Sequence, residues 1–170
     1  MSAPAVTLHP LGPADAELLT NLMELYIHDL SAFFPNVALG PDGRFGYPGL
    51  ASYLAGSPAS SAFLLRSGER TAGFALVKRG SPASEDPAVL DVAEFFVLRQ
   101  FRAQGVGRAA AALLWDRIPG TWTVRAAVRN ADAVSFWRRV VTAYTQGAAK
   151  ESDFASGGTP WKVFTFTSPA

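Results

Sequence analysis

Residues 89–128 change their apolar period twice. A β-branched and aromatic segment, Val89–Leu98, leads through two glycines into the alanine-rich run Gly105–Ile118. Pro119-Gly120 then breaks that run before a second β-branched segment, Thr121–Val128. The periods predict strand, helix and strand. Two strands joined through a helix belong in a sheet that carries helices, so neither an all-helical bundle nor a plain β-sandwich suits the chain.

The remaining segments extend that pattern. Ala5–His9 is expected as a short strand. Gly12-Pro13 opens a helix with Asp15 and Glu17 in its first turn, where the helix dipole favours acids. Leu18, Leu22, Leu25, Tyr26, Leu30 and Phe33 supply its expected apolar face, and Pro35 its expected end. Glycines and prolines mark residues 36–49 as a loop, with a short helix over Leu50–Leu54. Ala62–Arg66 and Thr71–Lys78 form a hairpin about Ser67-Gly68-Glu69-Arg70. Asn130 begins another helix with Ala133, Phe136, Trp137 and Val140 on one side. After turn signals at Gly147 and Gly157-Gly158, Trp161–Thr167 alternates as a final strand. This order implies an α/β (α+β) architecture, a central mixed sheet of six to seven strands with helices on both faces. Its 170 residues, with no repeat and no linker, are read as one domain, 1–170.

Composition narrows the chemistry. There is no cysteine, which excludes disulfides, thiolate metal sites and a cysteine nucleophile. Two histidines, His9 and His28, do not make a zinc site, and no metal is expected. A net charge of +1 argues against a nucleic-acid-coating protein. No apolar run is long enough for a membrane span and no secretory signal is visible, so a cytoplasmic protein is expected. Charge is nonetheless concentrated locally. Residues 99–129 hold six arginines (99, 102, 108, 117, 125 and 129) against one acid, Asp116. That excess suits a small polyanion.

The glycines between these arginines are where an anion would sit. A helix N-terminus presents N–H groups without helical acceptors, and glycines let the chain wrap closely around a phosphate. A Walker loop is absent. Gly105-Val106-Gly107-Arg108-Ala109-Ala110 fits the loose dinucleotide pattern, but six residues separate it from its strand. Ala126, Ala127 and Val128 stand where a ribose-binding acid belongs, and only 63 residues follow Gly107.

The segment "FFVLRQFRAQGVGRAAAALLW" resembles the acetyl-CoA signature of the GNAT acetyltransferase superfamily, a strand followed by R/Q-x-x-G-x-G/A and a helix. Arg102–Gly107 matches that motif. Asn130–Trp137 resembles the family's later N-x-x-A-x-x-[LF]-[YW] helix. The resemblance covers about residues 5–142 and implies a GNAT-like acyl-CoA N-acyltransferase fold. It implies transfer of acetyl from acetyl-CoA, as co-substrate, to an amine of a small molecule or an exposed protein amine. Attack would be direct, in a ternary complex. The alternative is an acetyl-CoA-binding sensor without chemistry. The expected partners are the amine acceptor and a second copy in a homodimer, with no nucleic acid and no membrane.

By position, the resemblance assigns Gln104, Gly105, Val106, Gly107 and Arg108 to the pyrophosphate, with Arg102 adding charge. Phe95, Phe96 and Val97 form the strand that meets the pantetheine arm, where it splays from Thr121–Val128 after a bulge. Asn130 and Phe136 complete the cofactor set, and Asn130 also reads as a helix N-cap. A backbone N–H near Val97 is the expected donor to the acetyl oxygen. Asp91 and Glu94 are the candidate catalytic bases, and neither acting is the third alternative. Asp91 holds the place of a catalytic glutamate in several relatives. In a regular strand residues 91, 93, 95 and 97 share one face and Glu94 the other, unless a bulge intervenes. Trp137 stands where many relatives carry a proton-donating tyrosine, so either the thiolate leaves without help or another group serves, with Tyr144 a candidate. Tyr26, Phe33 and Tyr47 are the candidate acceptor-binding residues, in a region that also holds His28, Asp29 and an aromatic loop.

Overall fold

The computed structural model describes residues 5–169. Seven strands form one sheet: β1 (Val6–Pro10), β2 (Ser60–Ser67), β3 (Arg70–Arg79), β4 (Leu90–Val97), β5 (Gly120–Ala127), β6 (Lys150–Ser156) and β7 (Thr159–Ser168). Their order is β1-β2-β3-β4-β5-β7-β6, and only β4 and β5 run parallel. Three helices pack on it: α1 (Ala16–Leu30), α2 (Val106–Arg117) and α3 (Ala131–Thr145). Among the described residues, no helix is long and apolar enough to cross a membrane.

The sheet divides two cores. On one face Trp115 and Leu114 of α2 and Val134, Trp137 and Val141 of α3 meet Leu90, Val92, Trp122, Val124 and Phe164. On the other, Leu19, Leu22, Met23 and Ile27 of α1 meet Leu64, Phe74, Leu76 and Phe96. The buried face of α1 is therefore rotated from the expected one. Leu18 and Leu25 point outward, at 38% and 53% exposure. A leucine-rich helix offers two overlapping stripes, and the one that includes Met23 and Ile27 fits the sheet. The helix also stops at Leu30, well before Pro35; the Ser31 hydroxyl donates to the His28 carbonyl at its end.

β6 lacks a sequence signal because it is an edge strand. Lys150–Ser156 is largely exposed and pairs with β7 through the turn at Gly157-Gly158. An edge strand with one solvated face needs no apolar alternation.

Two irregularities shape the centre. Leu76 of β3 pairs with Glu94 but Val77 pairs with Val92, so Ala93 is an unpaired extra residue, a β-bulge. β4 and β5 pair only from Leu90–Val92 to Trp122–Val124 and diverge beyond. The ladder stops where the bulge begins, and an opening runs through the sheet between residues 93–97 and 125–127.

Candidate active site

The bulge resets which face each side chain takes. Leu90 and Val92, then Phe95 and Val97, turn to the α2/α3 core; Phe96 lies in the α1 core. Asp91 and Glu94 consequently share the α1 face. The regular-strand expectation, with Asp91 aligned to 93, 95 and 97 and Glu94 opposite, does not hold, because the extra residue advances the pleat by one.

The two acids have different surroundings. Asp91 is fully buried. It accepts from Ser81 Oγ at 3.1 Å, Thr123 Oγ1 at 2.8 Å, and Arg125 Nε and Nη2 at 3.0 and 2.7 Å. Four donors, two of them from the Arg125 guanidinium, occupy both oxygens, which makes Asp91 part of a structural ion pair. Glu94 lies at the mouth of the opening. Its Oε2 accepts from the Tyr26 hydroxyl at 2.7 Å and its Oε1 from the Tyr47 hydroxyl at 2.9 Å. Burial pushes the Glu94 carboxyl above the ordinary value of 4.5, while the two tyrosine hydroxyls and Arg125 pull it partly back. A carboxylate of raised proton affinity is a better proton acceptor than an ordinary one.

On the opposite face, Gly105 opens α2 with φ +81°, a left-handed conformation that favours glycine. The N–H groups of Gly105, Val106, Gly107 and Arg108 have no acceptor among the described residues. Together they form an anion cradle on the dipole's positive end. Gly107 lies close to Phe136: a Cβ there would stand 3.0 Å from the ring. Phe136 stacks on Phe95 at 6.4 Å, and Trp137 meets Phe95 edge-on at 5.0 Å, so aromatic rings back the opening. Leu98 N–H donates to Ala72 across the β3–β4 ladder. Antiparallel alternation therefore turns the Phe95 and Val97 peptide groups toward the opening. This donor set, helix-end amides beside unpaired strand amides, fits a phosphate joined to an amide-bearing arm.

Some expected residues hold other partners. Arg102 donates through Nε to the Val97 carbonyl at 2.7 Å and through Nη2 to Asp29 at 2.6 Å. Arg99 also binds Asp29 at 2.6 Å. Burial pushes the Asp29 carboxyl up, but these guanidinia outweigh it and hold it below its ordinary value. Gln104 donates to the Gln100 carbonyl, and Arg108 is exposed. Val106 is buried, so only its backbone can meet a ligand, and Phe96 is buried with its peptide groups turned to β3, away from the opening. Asn130 caps α3 by accepting from Ala133 N–H at 3.1 Å. Phe33 is held through its carbonyl by Arg129, whose guanidinium lies over Phe34. His28 is exposed beside Phe45. Tyr144 does not reach the opening: it donates to Asp116 near the far end of α2 and packs on Trp115 and Phe166.

One contributor carries no motif. Glu24 of α1 accepts from the backbone N–H groups of Phe45 at 2.7 Å and Gly46 at 2.9 Å. Its partners are peptide groups 21 and 22 residues away. An acid one turn before His28 on a half-polar face gives no sign of this in sequence.

Neither a family sequence model nor a curated protein sequence matches the chain. Solved structures do. An acetyltransferase from Thermus thermophilus is 21% identical, with a TM-score of 0.64, over 98% of this chain and 99% of that one. Spermidine N-acetyltransferase from Vibrio cholerae, solved with CoA and spermine, is 14% identical with a TM-score of 0.63, covering 96% and 95%. RimJ from Mycobacterium smegmatis, solved with CoA-disulfide, is 14% identical with a TM-score of 0.66, covering 97% and 83%. With a seven-stranded mixed sheet, a diverging β4–β5 pair and a glycine turn opening α2, the chain has the GNAT acyl-CoA N-acyltransferase fold.

Proposed function

We propose that the protein is an acetyl-CoA-dependent N-acetyltransferase acting on an amine of a small molecule or an exposed protein amine, with Glu94 as general base. The observation that carries this reading is the placement of Glu94. Its carboxylate stands at one mouth of the β4–β5 opening, and the Gly105–Arg108 amides stand on the other face. Solved neighbours include N-acetyltransferases and CoA complexes, which supports the same chemistry.

Acetyl-CoA, when bound, supplies an activated acetyl carbonyl. Residues 105–108 would hold its pyrophosphate, and the Phe95 and Val97 peptide groups its pantetheine arm. Free amines of the lysine type carry a proton at neutral pH, with a pKa of about 10.4. Glu94 removes that proton, directly or through a water, and exposes the nitrogen lone pair. The Val97 N–H faces the opening and can donate to a carbonyl oxygen there. Tyr26 and Tyr47 hold both carboxylate oxygens in place. Trp137 is buried among rings and cannot return a proton, so the thiolate would leave unassisted, at a thiol pKa of about 8.5.

That missing proton donor also favours a second reading, an acetyl-CoA sensor. Two measurements separate them. Saturating acetyl-CoA should raise the melting temperature in either case, and no shift removes both. Thiol release across an amine panel, lost in Glu94→Gln, supports the enzyme. A thermal shift without thiol release from any amine leaves the sensor.

A further inference from the structure

We propose that Glu24 is a positioning residue of this site: its carboxylate clamps the 45–46 backbone so that Tyr47 keeps its hydroxyl on Glu94. The role assigned to Tyr47 rests on the reading of Glu94 as general base, whereas the clamp itself is a matter of geometry.

Residues 31–49 contain no strand or helix. Within them, Gly40 and Arg44 close a small internal turn, with the Gly40 N–H donating to the Arg44 carbonyl at 2.7 Å. Among the described residues, the hydrogen bonds joining residues 38–46 to the rest of the chain are the two on Glu24. Each oxygen of Glu24 takes one of two successive N–H groups. The carboxylate therefore fixes both the height and the direction of the chain entering Tyr47. Gly46, at φ +71°, then turns the chain onward into Tyr47.

Tyr26 does not need such a clamp. It sits on α1 itself, edge-on to Phe74 at 5.7 Å and against Phe96 at 5.6 Å. Tyr47 arrives from an otherwise unladdered loop and is only partly buried against the α1 core, so where its hydroxyl falls on Glu94 follows how the loop backbone is held. Glu24 is two residues from Tyr26, so one helix turn governs both donors: Tyr26 directly and Tyr47 through the loop.

The groups facing Glu94 define what changes when the clamp goes. They are Tyr26 from α1, Tyr47 and Tyr53 from the loop and its following turn, Asp91 from β4 and Arg125 from β5. Only Tyr47 moves with the loop backbone at 45–46. Hydrogen bonds to a carboxylate favour its charged form, so losing Tyr47 raises the proton affinity of Glu94. One such bond corresponds to about one pH unit.

The test uses full-length protein labelled with carboxyl-13C glutamate, with the Glu94 signal assigned by its loss in Glu94→Gln. Glu24→Gln, Tyr47→Phe and the double variant are titrated. The Glu94 midpoint should rise by about one unit in Tyr47→Phe. It should rise comparably in Glu24→Gln, and no further in the double variant. Glu24→Asp keeps the charge but falls one methylene short of the two amides, and should reproduce the Glu24→Gln shift. A wild-type midpoint in Glu24→Gln and Glu24→Asp, or additive shifts in the double variant, overturns the clamp. This readout needs no acceptor. Absence of acetyl-CoA stabilisation in the wild type would therefore sink the acetyltransferase reading while the titration still decides the role of Glu24.

Discussion

Substituting the two acids of β4 separates scaffold from chemistry. Asp91→Asn removes the charge from a fully buried carboxylate that holds Arg125 through two hydrogen bonds. The Arg125 side chain is only 14% exposed, so its guanidinium stays poorly solvated and loses its counter-ion. Breaking a buried pair from one side costs about 3–5 kcal/mol. In a domain of this size each kcal/mol lowers Tm by about 2–4 °C, so a fall on the order of 6–20 °C is expected. Glu94→Gln strands no ion: the Tyr26 and Tyr47 hydroxyls can each donate to or accept from an amide, and Tm should stay within about 4 °C. Activity should sort the other way. Glu94→Gln should lose at least about a hundredfold in turnover, and Asp91→Asn, assayed well below its Tm, less than about tenfold. Calorimetry and thiol release on the same samples give both numbers. Asp91→Leu with Arg125→Met should regain part of the lost Tm, because no lone charge remains. A stable but inactive Asp91→Asn beside an active Glu94→Gln would refute the assignment of roles.

Gly73→Ala should be severe: its Cβ would stand 1.8 Å from the Phe96 carbonyl oxygen, so β3 and β4 must part, at a cost of about 2 kcal/mol or more by denaturant unfolding. Gly107→Val should drive the Phe136 ring out of its stack and weaken CoA binding at least tenfold by calorimetric titration, with helix content unchanged by circular dichroism. The acid limb of kcat/KM should lie above 4.5, because Glu94 works deprotonated and burial raises its proton affinity. Stability carries the matching sign: the folded state binds that proton more tightly than the unfolded chain. The contribution is full below the unfolded value and is lost as pH rises through the folded one. Glu94→Gln should flatten that slope in pH-dependent unfolding.

Local chemistry makes half of the site legible in the sequence. The Gly105 turn, the alanine-rich start of α2 and the strand before them are contiguous, and their conformations are fixed within a few residues. The Asn130 cap and the aromatic pair Phe136-Trp137 are equally local. The parity of Asp91 and Glu94 is not local: Ala93 bulges because β3 and β4 close on each other around it, and nothing in alanine itself marks a bulge. Glu24 is invisible in sequence for a related reason, since it binds peptide groups rather than a recognisable side chain. β6 carries no pattern because solvent covers most of it, and α1 turns to the other of its two leucine stripes because the sheet selects the fit.

The bulge at Ala93 also sets what kind of change this protein can absorb. A pleated strand is a two-phase counter, and one unpaired residue advances the count. Deleting Ala93 would leave Asp91 and Glu94 on one face, two positions apart, but drawing Ala93 into the ladder at constant length would send Glu94 into the layer now filled by Phe95, Phe136 and Trp137. A ring would then occupy the mouth where the tyrosines wait for a carboxylate. No side chain need be altered for that loss. Over residues 91–97 the register of the strand therefore carries as much of the site's specification as its composition does.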